Sequence, residues 1–163
     1  MAKVLGIDQS YNNSGYCLAD DDTKAVLAFG TIRSDKTDNT YERALNVALA
    51  ISRLVESHDP SSVNIEGLAF GIRGDATRDL AGLLFTIVNV LKLKHPLLPV
   101  REYAPTSLKK RATGSGKAQK TDMINALPEH IRNEFVKAGF KKTTGLADVT
   151  DAYWLSQMPA KAS

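Results

Sequence analysis

The chain has 163 residues, of which 43% are hydrophobic and 24% are charged, and its net charge is +3. These values predict one globular domain over residues 1–163, with enough apolar residues to form a core. The lone cysteine, Cys17, excludes an intramolecular disulfide and a zinc site built from several thiolates. The sequence has neither a signal peptide nor an apolar run of about 20 residues, so we expect a soluble cytoplasmic protein with no membrane partner.

The first part of the chain has the pattern of an antiparallel meander. Short apolar runs bounded by turn residues predict strands over 3–8, 15–19 and 25–33. Three aspartates at 20–22 are expected to form the solvated turn between the second and third strands. The first strand ends on a carboxylate, Asp8.

A helix and a fourth strand follow. Apolar residues at helical spacing predict a helix over 41–56 with Thr40 as its N-cap, and a short strand is predicted over 63–66. A strand, a helix and a second strand in succession favour parallel pairing, so this strand is expected beside the first one. It too ends on a carboxylate, Glu66.

The helix predicted over 77–93 is apolar on nearly every face. One side can pack on the sheet. The other side is either a homodimer interface, because exposing it would invite aggregation, or is covered by the rest of the domain. The sequence leaves both possibilities open.

The remaining segments predict a strand over 99–103 and helices over 120–126, 129–137 and 147–157. Together with the earlier elements they describe an α/β fold. Its mixed sheet has an antiparallel meander followed by parallel strands, and helices cover both faces.

A basic window over 101–120 interrupts these segments, and it is interpreted as a loop around the glycines at 114 and 116. Such a charge cluster either contacts a polyanion or is simply solvated. If it contacts DNA, the candidate binding residues are Lys109, Lys110, Arg111 and Lys117.

Four acidic residues are the candidate catalytic groups. Asp148 and Asp151 lie three residues apart on a predicted helix and therefore share one face. Asp8 and Glu66 end two strands that are expected to be neighbours, so all four carboxylates are expected to converge. Oxygen ligands without His or Cys select Mg²⁺ or Mn²⁺. Two such ions about 3.5–4 Å apart would activate a water and stabilise the leaving oxygen of a phosphodiester.

Several short motifs, spread over most of the chain, carry a family resemblance. In order they are Gly6-Ile7-Asp8, Gly15-Tyr16, Ile65-Glu66, Tyr103-Ala104 and Asp148-Val149-Thr150-Asp151-Ala152. Their order and spacing resemble the RuvC-type Holliday junction resolvases, particularly the compact phage members. A phage origin would place the protein in the host-cell cytoplasm.

The resemblance implies a ribonuclease H-like fold, a homodimer, and paired symmetric nicks in four-way DNA junctions with Mg²⁺ or Mn²⁺. The family's four acids carry over onto the four acids named above. Its two functional lysines carry over onto Lys109, as a DNA-binding residue, and Lys120, as a catalytic residue supporting charge near the cut. The aromatic that the family wedges into the junction is matched only by Phe70, one position late. Phe70 is therefore either a wedge or a core residue.

Other functions share parts of this pattern. A ribonuclease H-like nuclease acting on flaps or other branched DNA would have the same acids and differ in substrate. A sugar kinase or actin-like ATPase opens with a similar strand and turn, but needs two large lobes. A non-catalytic DNA-binding module could use the basic window, yet four acids facing a phosphate backbone would repel it unless metal were bound.

Overall fold

The computed structural model describes residues 1–69 and 74–159. Within them the strands are β1 (Lys3–Asp8), β2 (Asn13–Asp20), β3 (Val26–Arg33), β4 (Ser62–Glu66) and β5 (Val100–Tyr103). The helices are α1 (Thr40–His58), α2 (Asp75–Lys94), α3 (Pro105–Thr113), α4 (Lys120–Asn125), α5 (Glu129–Lys137) and α6 (Leu146–Ser156).

The strands form one sheet in the order β3-β2-β1-β4-β5. β1 pairs antiparallel with β2, which pairs antiparallel with β3. On its other side β1 is parallel to β4, and β4 is parallel to β5. The predicted fold, an antiparallel meander followed by parallel strands with helices on both faces, is confirmed.

Alternation of side chains along β1 separates the two faces of the sheet. Leu5 and Ile7 are fully buried in a core that also contains apolar residues of α1 and α2. Gly6 faces the opposite side, where it lies against α6. On that side Cys17 and Phe135 belong to a second core with residues of α4, α5 and α6. The sheet is therefore sandwiched between helices, and α6 lies directly over β1.

Two local predictions are wrong. The N-cap of α1 is Asn39, whose side-chain oxygen accepts a hydrogen bond of 2.9 Å from the backbone N–H of Glu42, and Thr40 is already helical. The segment 105–113, interpreted as part of a loop, forms α3. Pro105 occupies the first turn of α3, where its missing N–H costs no hydrogen bond.

The apolar helix α2 is not enclosed by the described residues. Its residues Leu83, Leu84 and Ile87 are buried in the core shared with α1 and the sheet. Phe85 is 64% exposed on the other side. The alternative in which the domain covers both sides of this helix is therefore wrong for the part of the chain described. No helix within these residues is long and apolar enough to cross a membrane.

Candidate active site

Asp8 and Glu66 lie side by side at one edge of the sheet. They are the last residues of β1 and β4, and parallel neighbours end at the same edge. Side chains alternate along a strand, so residues two positions apart point to the same face of the sheet. The residues two positions before Asp8 and Glu66 face α6, and the two acids therefore share the face that α6 covers. Gly6 lies against α6, and Asn64 donates a hydrogen bond to the main-chain oxygen of Leu155.

Glycines allow α6 to approach this edge closely. A Cβ on Gly6 would stand 2.1 Å from the main-chain oxygen of Ala152. A Cβ on Gly15, on the neighbouring strand β2, would stand 2.2 Å from the main-chain oxygen of Asp148. Both distances are far below van der Waals contact, so only glycine fits while α6 stays where it is. The close approach brings Asp151 to the ends of β1 and β4.

Three carboxylates meet at this point. Oxygen atoms of Asp8, Glu66 and Asp151 all lie within 4.8 Å of one another. They come from β1, β4 and α6, so the fold rather than a local motif assembles the group. A cluster of oxygen donors at this spacing, without histidine or cysteine, fits a hard divalent cation such as Mg²⁺ or Mn²⁺.

Asp148, the fourth predicted acid, lies beside this group rather than within it. Its Oδ2 accepts a hydrogen bond of 2.8 Å from Nδ2 of Asn13, the first residue of β2. Its charge still acts on the group, because it contributes to the raised pKa of Asp8 and of Asp151. Of the four acids expected to converge, three therefore meet and one is held at the side.

Burial and mutual repulsion make these carboxyl groups hard to ionise. Burial, with the charges of Glu66 and Asp148, raises the pKa of Asp151 to about 7. Burial, with the charges of Asp151, Glu66 and Asp148, raises the pKa of Asp8 well above its usual value. A hydrogen bond with Asp8 opposes the effect of burial on the pKa of Glu66. Without a cation the group therefore retains protons, and a bound cation would favour the ionised carboxylates.

A cleft of about 430 Å³ opens over the three acids. Lys109 of α3 and Lys120 of α4 line one side of it. Both lysines oppose the effect of burial on the pKa of Asp151, and Lys109 does the same for Glu66. The cleft thus places two cations next to the acidic group, as a site for a phosphate near a metal requires.

The other candidate DNA-binding residues lie elsewhere. Lys110 and Arg111 are exposed on α3, and Lys117 is exposed in the segment between α3 and α4. These three residues do not line the cleft. Phe70, the candidate wedge, falls outside the described residues.

Three further polar residues at the site are not predicted from the sequence. Gln9 donates a hydrogen bond of 2.6 Å from Nε2 to the main-chain oxygen of Glu66. Asn13 holds Asp148. Thr77, near the start of α2, lines the cleft with a buried hydroxyl that has no hydrogen-bond partner among the described residues. Gln9 and Asn13 fall between the strands predicted over 3–8 and 15–19, and the one signal that could mark them is their position after Asp8, an acid that ends a strand.

A mixed sheet with carboxylates gathered where its central parallel strands end defines a ribonuclease H-like nuclease. Comparison with known proteins narrows this class, because the family model for Crossover junction endodeoxyribonuclease RuvC matches residues 4–138. The chain belongs to this family of Holliday junction resolvases and is an endonuclease. The matched range contains Asp8 and Glu66, while Asp148 and Asp151 lie beyond it.

Individual relatives agree with this assignment. The RuvC endonuclease of Chlorobaculum parvum is 30% identical over 153 residues, covering 91% of this chain and 76% of the relative. That of a Sulfurovum species is 29% identical over 150 residues, covering 91% of this chain and 89% of the relative. Among solved structures, Thermus thermophilus RuvC in complex with a Holliday junction substrate matches with a TM-score of 0.73 at 17% identity. The match covers 96% of this chain and 92% of that one, and it supports the fold.

Proposed function

We propose that Asp8, Glu66 and Asp151, with Asp148 beside them, bind Mg²⁺ or Mn²⁺, two ions per active site, for hydrolysis of DNA phosphodiester bonds. The mutual distance of 4.8 Å or less among the three carboxylates carries this proposal. The raised pKa values of Asp8 and Asp151 support it, because acids this close ionise together more readily when a cation compensates their charges. Such ions supply the charge that activates water and stabilises the leaving oxygen.

Lysines on the cleft wall complete the proposed site. Lys120 gives electrostatic support to the phosphate being cut, and Lys109 binds the DNA backbone next to it. Their position beside the acids supports these roles. The charges of both lysines act to lower the pKa of Asp151 and so oppose the effect of burial, which raises it. The exposed residues Lys110, Arg111 and Lys117 extend the positive surface away from the cleft and contact phosphates farther along the DNA.

The proposed substrate is a four-way DNA junction that is cut by paired symmetric nicks. The Holliday junction bound by the structurally similar Thermus thermophilus RuvC supports this choice. Two symmetric nicks need two active sites, and the described chain contains one acidic cluster of this kind. We propose that residues 1–163 form a single domain and that two copies pair through the outward face of α2, where Phe85 is exposed.

A cleavage assay tests the proposal most directly. Synthetic four-way, flap and linear duplex DNA of the same arm sequences are incubated with the purified protein and Mg²⁺, Mn²⁺ or EDTA. We expect nicks near the branch point of the four-way junction with either ion and none with EDTA. Equal cutting of all three substrates would contradict junction selectivity and leave a less selective nuclease.

Substitution of the acids separates chemistry from binding. Asp8→Asn and Glu66→Gln keep the size of each side chain but remove its negative charge, so we expect both variants to bind the junction without cutting it. Binding is measured by electrophoretic mobility shift and cleavage by denaturing gel. Full cleavage by both variants would contradict the metal-binding role of these acids.

A further inference from the structure

The ladder that joins β1 to β4 ends just before the two acids. Its last pair is Ile7 with Ile65, and Asp8 and Glu66 are the next residues along each strand. Two half-buried carboxylates therefore lie side by side at the end of this ladder. Like charges repel more strongly in a poorly solvated place than in water. A further link between the two strand ends would oppose this repulsion.

Gln9 supplies that link. Its side-chain Nε2 donates a 2.6 Å hydrogen bond to the main-chain oxygen of Glu66, so it links the residue after Asp8 to Glu66 itself. A carbonyl oxygen can only accept, which fixes the orientation of the amide: the nitrogen faces Glu66 and Oε1 faces away. Gln9 also lines the cleft over the acids.

The other half of the same amide is left unsatisfied. Oε1 of Gln9 is buried and has no hydrogen-bond partner among the described residues. A buried acceptor in this state is destabilising, which offsets what the bond to Glu66 contributes to stability. An apolar side chain of the same length would avoid that cost. Such a side chain would also leave the main-chain oxygen of Glu66 without this donor, so the two effects of the glutamine on folding stability oppose each other.

We propose that Gln9 is a positioning residue for the metal centre, holding Glu66 at the distance from Asp8 that a bound cation needs. This inference rests on the proposed function, since it requires that the acids bind metal. Polar groups that orient metal ligands typically contribute about 10- to 100-fold to metal affinity. Gln9 should make such a contribution through the main chain of Glu66 and not through contact with DNA.

The test is a Mn²⁺ titration of the DNA-free protein, with free Mn²⁺ measured by electron paramagnetic resonance. The variant Gln9→Met has a similar length and no amide. We expect it to weaken Mn²⁺ binding by about 10- to 100-fold. Its melting temperature in EDTA should stay close to that of the wild type, because removal of the unsatisfied oxygen of Gln9 offsets the loss of the hydrogen bond to Glu66. A purely structural residue would change the melting temperature and leave the affinity unchanged.

Gln157→Met is the matched control. It removes a buried glutamine amide beyond the end of α6, whose Nε2 lies 3.3 Å from Oγ of Ser156, away from the acids. We expect it to lower the melting temperature and keep the Mn²⁺ affinity. Gln9→Asn, which retains the amide but is one methylene too short to reach Glu66, should weaken Mn²⁺ binding as Gln9→Met does.

The outcomes separate this inference from the proposed function. If the wild type binds Mn²⁺ and both Gln9 variants bind it equally well, the role of Gln9 is overturned while the metal site stands. If the wild type itself fails to bind Mn²⁺, the proposed metal-dependent function fails, and the role of Gln9 fails with it. A Gln9→Met protein whose affinity falls no more than that of Gln157→Met also overturns the inference.

Discussion

Gly15 of β2 lies so close to Asp148 of α6 that a Cβ built on the glycine would stand 2.2 Å from the main-chain oxygen of Asp148. The contact sets the height of α6 above the sheet at the end that carries two of the four acids. Position 15 therefore constrains the active site although Gly15 has no side chain to contribute to catalysis.

Gly15→Ala should damage both stability and cleavage. The added methyl group must push α6 away, because the nearest atoms it meets are backbone atoms of Asp148 and Val149 and not a flexible side chain. Overpacking of this kind costs about 1–3 kcal/mol, occasionally more. We expect a lower free energy of unfolding in urea and a large loss of junction cleavage, since Asp151 moves with the helix.

The matched control is Gly82→Ala on α2. A Cβ there meets only the hydroxyl of Tyr11, at 3.8 Å, which is an ordinary contact. Alanine is favoured over glycine inside a helix by about 1 kcal/mol, so this variant should be as stable as the wild type or more stable. Unchanged cleavage by Gly15→Ala would show that the position of α6 is not critical.

The hydrogen bond from Asn13 to Asp148 predicts a loss of rate without loss of DNA binding. Asn13→Ala frees the carboxylate of Asp148, which the 2.8 Å bond now holds beside the metal-binding group. Removing a group that orients an acid at a metal site typically costs about 10- to 100-fold in activity. We expect that decrease in the single-turnover cleavage rate, with junction affinity unchanged in a mobility-shift assay.

Asn46→Ala provides a comparison of the same chemistry. The amide of Asn46 donates a 3.4 Å hydrogen bond to Asp38 on the surface, at the start of α1 and away from the cleft. This variant should cut at the wild-type rate. Equal rates for Asn13→Ala and the wild type would contradict a role for Asn13 in placing Asp148.

The raised pKa values predict that the acids destabilise the metal-free protein. A carboxyl group whose pKa is higher in the folded state than in the unfolded state disfavours folding once it is ionised. Stability should therefore rise as the pH falls through the folded-state pKa values, which for Asp151 means below about pH 7. Asp8→Asn removes a carboxyl group whose pKa is raised by burial and by the charges of Asp151, Glu66 and Asp148, so we expect it to melt at a higher temperature than the wild type in EDTA.

Thermal unfolding in EDTA at about pH 8 and about pH 5 measures this effect. The gain from Asp8→Asn should be largest at the higher pH and shrink at the lower one, because the raised pKa of Asp8 favours its protonated form as the pH falls. Asp22→Asn, an exposed aspartate in the turn between β2 and β3, should change neither melting temperature. A lower melting temperature for Asp8→Asn at both pH values would contradict the predicted repulsion.

The sequence predicted the parts of this site that depend on local pattern. Asp8 and Glu66 could be paired because each ends an apolar strand and a helix connects the two strands, which favours a parallel pairing. Asp148 and Asp151 could be placed on one helical face from their spacing alone. Neither argument reaches Asn13, because its bond to Asp148 joins residues 135 positions apart.

Helix α3 was not predicted from the sequence, for a different physical reason. Leu108 is its only buried apolar residue within Pro105–Thr113, so no apolar periodicity distinguishes the segment from a loop. Pro105 also has the character of a helix breaker until its place in the first turn is known. As a result, the cationic residues could be identified from the sequence. The position of Lys109 on a helix that faces the acids could not.

The lysines are predicted to act in two separable ways. Lys120→Ala removes the cation proposed to support the phosphate being cut, so we expect the single-turnover rate at saturating protein to fall by about 100-fold or more, as when a group stabilising transition-state charge is lost. Lys109→Ala removes a cation proposed to bind the DNA backbone, so it should weaken junction binding and lower that rate less. Lys110→Ala removes an exposed cation outside the cleft. It should leave that rate unchanged. The number of counterions released on DNA binding, measured from the slope of affinity against salt concentration, should fall by about one. Rates that fall equally in all three variants would contradict this division.

Phe85 is predicted to lie in the interface between two copies of the chain. It is 64% exposed at the middle of α2, and its neighbours Leu84 and Ile87 point into the core, so the helix cannot turn to bury it. Phe85→Glu places a charge where the partner helix would pack, and a buried unpaired charge opposes association strongly. We expect sedimentation velocity to show a dimer for the wild type and a monomer for this variant.

The consequence for the reaction follows from symmetry. Residues 1–69 and 74–159 of one copy contain a single such acidic cluster. Phe85→Glu should therefore nick one strand of a four-way junction at a time, whereas the dimer cuts both in one binding event. A supercoiled plasmid that extrudes a cruciform distinguishes these cases, since paired nicks yield linear DNA and single nicks yield open circles. Leu27→Glu is the control, because Leu27 is exposed on β3, across the sheet from α2, and its substitution should leave the dimer intact. A wild-type protein that sediments as a monomer even with junction DNA would contradict pairing through α2.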